Sequence, residues 1–356
     1  MTLRSRVQSA FTITELLVVV AVVALLIAVG TPAVISSLRS INRSLADTQL
    51  RVAIVGARDA AIRNAGRGDA MAVFTFEPGQ RTQVYICLYA GTLQDIDADN
   101  QAIQRDIFVP DVLSEPISLP NGWSVRGYVP PFRLADASAR EWYNQTYDDS
   151  GDFNRGNWVF PETGFFDAAE GDEGDKRQSF AIRFRSGTGQ IATERQDEAL
   201  ILLPAEPVAG ADFRDAAPFA ENNALEALDL RRFVVRVLSD PGGSPAAAAV
   251  ERRQLLGNES TDTVLVRPIT QIALYRESEL AGALGVRLDR ETRSLYEVDP
   301  SNPRPELVRN VETDEVNDWM IGRPKEGGNT DDEEEERTTR VFTLEVISGS
   351  LRELAR

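Results

Sequence analysis

Ala10-Phe11-Thr12-Ile13-Thr14-Glu15-Leu16-Leu17-Val18-Val19 opens a stretch in which every residue from Leu16 to Val29 is apolar, followed by Gly30-Thr31-Pro32 and Ala33-Val34-Ile35. A short leader containing Arg4 and Arg6 precedes it. Three readings compete. A secretory signal peptide has a basic start, an apolar core and a small-x-small site, here Ala28-Val29-Gly30. A plain signal anchor needs a longer span, and Phe11 to Ile35 would supply about 37 Å of helix at ~1.5 Å per residue. The third reading is a processed leader in front of an assembly helix.

Glu15 separates them. A carboxylate inside an apolar helix costs roughly 2.5–3.5 kcal/mol on insertion scales, and neither a signal peptide nor a plain anchor has a use for it. A freed α-amino group at Phe11, four residues upstream, would neutralise it. The run Ala10 to Val19 resembles the leader junction of type IV pilins and type II secretion pseudopilins. That resemblance implies cleavage between Ala10 and Phe11 by a prepilin peptidase and N-methylation of Phe11. It also implies that Glu15 pairs with the terminal amine of Phe11 in a neighbouring subunit, and that Pro32 is the helix-kinking proline. The family usually carries glycine where this chain has Ala10, which is likewise small. The implied partners are other pilin or pseudopilin subunits, the prepilin peptidase and an inner-membrane assembly platform. The implied localisation is a single-pass bacterial inner-membrane protein with a periplasmic C-terminal domain, later part of a periplasmic or cell-surface filament.

The expected division is a leader over 1–10, a transmembrane or filament-core half-helix over 11–35, an amphipathic half over 36–66 and a globular domain over 67–356. In the amphipathic half, Leu38, Ile41, Leu45, Val52, Val55 and Ile62 recur at three- and four-residue steps and predict one apolar docking stripe. Asn64 and Gly66 predict the stop. Pro32 lacks an N–H and clashes with the carbonyl of Ala28, so a kink or local melting is expected there.

Beyond residue 70 the pattern changes to short β-like runs: Met71–Phe76, Thr82–Tyr89, Trp123–Tyr128, Phe180–Phe184, Ala199–Leu203, Phe233–Leu238, Val264–Val266, Gln271–Tyr275 and Val341–Ile347. Short helices are expected near Asn223–Leu228 and Ala246–Leu256. The fold class read from this is α+β, a long pilin-like N-terminal helix packed on a mainly antiparallel sheet with large loop insertions. Ala57 to Asn64, followed by the strand from Ala72 to Phe76, is similar to the helix-to-first-strand passage of H-type minor pseudopilins. The largest minor pseudopilins typically lack the glutamate, so Glu15 argues against that type. Residues 133–175 read as an insertion rich in aromatics, including Trp142, Trp158 and Phe165. It is either a surface for a partner or glycan or a long loop anchored by its rings. Residues 322–339, with six consecutive acids from Asp331 to Glu336, read as a solvated loop.

Composition narrows the chemistry. The 356 residues contain no histidine, which removes His-based zinc sites and Ser-His-Asp or Cys-His catalysis. The lone Cys87 lies in an apolar run and reads as a buried core thiol. A net charge of −17 opposes binding to DNA or to anionic lipid. Asp95, Asp97 and Asp99, with Asp106 eleven residues after Asp95, have the carboxylate spacing of a calcium loop. Asn100 stands where the usual glycine would be, and a solvated acidic turn is the other reading. The function that the leader resemblance implies is a structural subunit of a type IV pilus-like or type II secretion filament, not an enzyme. The alternative is a membrane-tethered or secreted binding protein or enzyme with a β-rich ligand-binding domain.

Overall fold

Local sequence explains where most strands lie, and long-range pairing decides what they build. A computed structural model describes residues 13–76, 82–96, 102–111, 113–129, 157–159, 164–167, 171–192, 199–202, 238, 263–290, 295–299, 302–307, 313–321 and 339–354. In chain order the elements are α1 (Ile13–Arg63), β1 (Ala70–Phe76), β2 (Thr82–Ile96), β3 (Ala102–Pro110), β4 (Ile117–Ser118), β5 (Trp123–Val129), β6 (Asn157–Val159), β7 (Gly164–Asp167), β8 (Gly171–Phe184), β9 (Ala199–Leu202), β10 (Thr263–Pro268) and β11 (Gln271–Arg276). They continue with α2 (Glu277–Leu284), β12 (Tyr296–Asp299), β13 (Asn302–Leu307), α3 (Thr313–Ile321), β14 (Arg340–Leu344) and β15 (Leu351–Glu353). Contacts divide the chain into two units, Met1–Asp47 and Thr48–Arg356.

Within the second unit, six strands close on themselves. β1 pairs with β2, β2 with β3, β3 with β9, β9 with β10, β10 with β8, and β8 returns to β1. Two of these pairings, β3 with β9 and β10 with β8, are parallel. Each of the six strands sends residues into one apolar cluster: Met71 and Val73, Cys87, Phe108, Ala181, Ala199 and Ile201, Val264 and Val266. That cluster is the barrel interior. Closing the ring removes the open edges that a sheet would otherwise present.

The expected architecture is corrected by this ring. The body is a small mixed barrel rather than an open, mainly antiparallel sheet carried on a pilin-like helix. The parallel pairs join segments about ninety residues apart, and no local periodicity encodes them. Only Thr48–Arg63 of α1 belongs to the body.

A second sheet, β15-β14-β11-β5-β6, is antiparallel throughout. Its cluster draws Trp158 from β6, Ala273 and Tyr275 from β11, Leu280 and Ala281 from α2, and Val316 and Met320 from α3. The sheet meets the barrel at Gly127, where an added Cβ would stand 2.7 Å from Ile269 Cδ1 and 3.0 Å from Phe180 Cγ. A glycine is required by that approach. β12 and β13 form a separate two-stranded pair.

The helix docks by a different face from the one expected. Leu50, Ala53, Ile54, Ala57, Ala60 and Ala61 are buried, whereas Leu38, Ile41, Leu45, Val52, Val55 and Ile62 are all exposed. At 3.6 residues per turn the two sets within the body lie roughly 170° apart. Small residues won the contact because they let the helix axis come close. A Cβ on Gly56 would already stand 2.7 Å from Ile86 Cδ1. The larger side chains were left outside.

No helix among the described residues is long and apolar enough to cross a membrane. This corrects the transmembrane half-helix expected over 11–35, and with it the single-pass inner-membrane localisation and its periplasmic domain. The secondary structure runs through Pro32 without a break, so the expected local melting does not occur. Thr31 Oγ1 donates to the Ile27 carbonyl at 2.6 Å just before it, a local side-chain bond that helices tolerate.

Candidate functional site

Among the described residues, Leu16 to Ile27 forms a continuous exposed apolar run. Its leucines, valines and isoleucine are each 48 to 66% exposed. A run of γ-branched, β-branched and alanine residues without a charge is helical all round and apolar all round, so no face of it is soluble by design. Glu15 and Pro32 lie in α1, with side chains outside the described residues, and Ala10 and Phe11 lie outside them altogether.

The calcium-like spacing falls on a hairpin. Asp95 is at the end of β2, opposite Ile103 of β3, and Asp106 faces Thr92. Asp97 and Asp99 lie outside the described residues. Thr92 Oγ1 donates to Asp106 Oδ1 at 2.8 Å, and Arg183 Nη2 donates to Asp106 Oδ2 at 2.6 Å. Asp95 and Asp106 are therefore offset by three residues along the ladder, which puts them on opposite faces of it. Among the described residues no group of three potential ligands gathers.

Two buried polar networks were not expected. In the barrel, Arg183 Nε donates to Asp69 Oδ2 at 2.8 Å while its Nη2 holds Asp106, and its guanidinium lies 5.2 Å from the centroid of the Phe108 ring. Asp69 Oδ1 also accepts from the Ser186 amide at 2.9 Å. Both carboxylates are thus tied to one arginine in surroundings from which water is mostly excluded. In the second sheet, Tyr275 Oη donates to Glu277 Oε1 at 2.8 Å, and Arg126 Nε donates to Tyr275 Oη at 3.1 Å. Arg126 Nη1 donates to the Trp158 carbonyl at 3.0 Å, and the Trp158 amide donates to Asn317 Oδ1 at 2.9 Å. Trp158, an aromatic of the predicted insertion, is thereby clamped into the core and lies against Tyr128 at 5.0 Å. Most of 133–175 and of 322–339 lies outside the described residues.

The sequence signal for these networks is faint but present. Arg183 alternates with Phe180, Ile182 and Phe184 in an apolar strand, and Arg126 sits between Val125 and Gly127. A lone arginine in such a run implies a buried carboxylate partner.

Burial pushes the Glu277 carboxyl up from 4.5, against the opposing pull of Arg126, Tyr275, Ser124 and the Leu295 backbone. The folded state therefore holds this proton more tightly than the unfolded chain does. The group's contribution is fully present below the unfolded value and is lost as pH rises through the raised one. Glu277→Gln keeps an acceptor for Tyr275 and removes the titration. Its urea midpoint is expected to fall less steeply above pH 4.5 than that of the unchanged protein. Parallel pH profiles would show that Glu277 carries no proton linkage. Burial also raises the Cys87 thiol far above its ordinary value, with the Asp111 charge adding to the effect. The thiol is inert where it sits.

The end of α1 is held by two hairpins of the same design. In one, the Arg185 amide donates to the Gln190 carbonyl and the Gly189 amide to the Arg185 carbonyl. In the other, the Glu345 amide donates to the Ser350 carbonyl and the Gly349 amide to the Glu345 carbonyl. Gly189 and Gly349 both take positive φ, +65° and +64°. The first hairpin caps the helix directly. Gly187 N–H bonds the Ala61 carbonyl at 3.0 Å, and Ser186 Oγ bonds the Asn64 carbonyl at 3.0 Å. Two carbonyls of the helix's last turns, which such ends often leave orphaned, are thus satisfied.

Comparison of the chain with protein-family models, with curated proteins and with solved structures gives no match. The functional reading therefore rests on the N-terminal residues and on the exposed faces of α1.

Proposed function

We propose that this chain is a structural subunit of a filament of the type IV pilus or type II secretion class, cut by a prepilin-type peptidase between Ala10 and Phe11. It joins the filament through its N-terminal helix and performs no catalysis. The observation that carries this reading is the uncovered apolar helix from Leu16 to Ala28 directly behind Glu15. A contiguous apolar surface of this kind costs solubility unless another molecule covers it. A lone carboxylate at its head acquires a purpose when a positive terminus of a neighbour meets it. The rival, a ligand-binding or catalytic β-domain, has less support. A ring of six strands is narrower than the eight-stranded barrels whose interior side chains can just fill, and this one is occupied by its own core.

The N-terminal mass of the mature protein tests the proposal. The expected species begins at N-methylated Phe11. A mature start at Thr31, or an intact Met1, would overturn it. Glu15→Ala is expected to be cleaved normally and to enter filaments about tenfold less, the size of one lost charge pair. Unchanged incorporation would remove the role given to Glu15.

A further inference from the structure

The turn between β4 and β5 carries Asn121-Gly122, the one place in the chain where asparagine stands directly before glycine. Both residues are exposed. The Trp123 amide donates to the Pro120 carbonyl at 3.0 Å and closes the turn, in which Gly122 takes a φ of +76°. A Cβ on Gly122 would meet nothing within 4 Å, and among the described residues its N–H donates to no group. With no side chain of its own and open space around it, that nitrogen is accessible to the side-chain amide carbon of the residue before it. We propose that Asn121 is a site of spontaneous chemical modification, converted to isoaspartate and aspartate through a succinimide ring closed by Gly122. The proposal is independent of the filament reading.

The chemistry needs only water. The Gly122 nitrogen bonds Asn121 Cγ, the Cγ–Nδ2 bond breaks, and ammonia leaves carrying the former Gly122 amide proton. Water then opens the ring at one of its two carbonyls. Opening at Cγ leaves aspartate. Opening at the main-chain carbonyl leaves isoaspartate, whose backbone runs through Cβ and Cγ and is one carbon longer. Either product adds a carboxylate that is charged at neutral pH. Asn64 supplies the contrast within the same molecule. Its side-chain Nδ2 donates to the Gly68 carbonyl at 3.0 Å, and the amide after it, that of Ala65, donates to the Ile62 carbonyl at 3.3 Å. Leaving group and nucleophile are both held there. The change at Asn121 reaches α2. The Gly122 carbonyl accepts from the Glu277 N–H, the first amide of that helix, at 3.1 Å, while Arg276 at the N-cap gives no side-chain bond. Gly122 thus satisfies an amide that a capping side chain would otherwise take. A longer backbone just before Gly122 displaces its carbonyl and uncaps the helix.

The test ages the full folded chain in warm neutral buffer and follows its tryptic peptides by mass. Trypsin releases Asp106–Arg126, in which Asn121 is the only asparagine. Two products with the mass of the acid are expected, isoaspartate the larger. They should form at least about tenfold faster than at Asn64, a barrier difference of about 1.4 kcal/mol. Asn121→Gln keeps an exposed amide on a side chain too long for this ring, and its peptide should stay unchanged. In the isoaspartate fraction, hydrogen exchange at the Glu277 amide should quicken several-fold. No product in the folded chain overturns the proposal, and conversion of the urea-unfolded chain alone would show that the turn protects Asn121. Aspartate without isoaspartate would mean direct hydrolysis and remove Gly122 from the reaction. Equal rates at Asn64 would remove the part given to an open turn. Unchanged exchange at Glu277 would sink the uncapping of α2.

Discussion

Arg183→Met is expected to destabilise the body by about 3–5 kcal/mol, the range for removing one partner of a buried ion pair. Against a total of about 5–15 kcal/mol for a folded domain, that is a large share. The reason lies in the geometry. Arg183 is the shared donor for Asp69 and Asp106, at 2.8 and 2.6 Å, with side-chain exposures of 3, 14 and 12%. Methionine fills much the same volume, so packing is largely kept and two poorly hydrated carboxylates lose their counter-charge. Urea unfolding followed by fluorescence would measure the loss. Adding Asp69→Asn and Asp106→Asn to the same chain should restore part of it, because amides cost less to bury than charges. A single variant that loses less than about 1 kcal/mol would mean that water reaches the triad and screens it.

Gly349→Ala comes next, with an expected cost of about 2–4 kcal/mol, from the left-handed backbone and a clash that cannot relax. Its φ is +64°, and the new methyl carbon would stand 2.6 Å from the carbonyl oxygen of Gly189. That oxygen belongs to the backbone of the matching hairpin and cannot swing aside. Gly66 supplies the control. Its φ is +79°, but an added Cβ meets nothing within 4 Å. Gly66→Ala should therefore show the conformational part alone, about 1 kcal/mol. Equal losses at the two positions would remove the clash from the account.

Strands such as β1, β5 and β11 were legible because alternating, β-branched and aromatic residues sit between turn formers, and these are local properties. The expected run Val341–Ile347 is longer than the strand it contains. Its strand ends at Leu344, and Val346 and Ile347 lie in the turn that Gly349 closes. Ala102–Pro110 is not among the expected runs, where only the calcium-like spacing of Asp106 stands out, yet it forms β3. Periodicity found the apolar stripe of α1 but could not say which side docks. Alanines at Ala53, Ala57, Ala60 and Ala61 carry little hydrophobic signal, and their worth is the close approach they permit. The ring itself was illegible in principle, since β3 with β9 and β8 with β10 are chosen by partners far along the chain. For the proposed assembly segment, Ala10, Phe11, Glu15 and Pro32 are readable in the sequence. The exposure of Val52, Val55 and Ile62 needed the structure.

The closed ring has a cost in time. β1, β2 and β3 are adjacent hairpin partners and can pair as soon as they leave the ribosome. The free side of β3 waits for β9, and the far side of β1 waits for β8, which must itself be joined by β10 at residues 263–268. Between the end of β3 and the end of β10 the ribosome adds about 160 residues, roughly 8–30 s of synthesis at ~5–20 residues per second. Until β8 and β9 emerge, by residue 202, the three-stranded sheet has two bare edges, and from then until β10 arrives the facing edges of β8 and β9 stay open. Nascent copies on one message are then at their most prone to pair edge to edge.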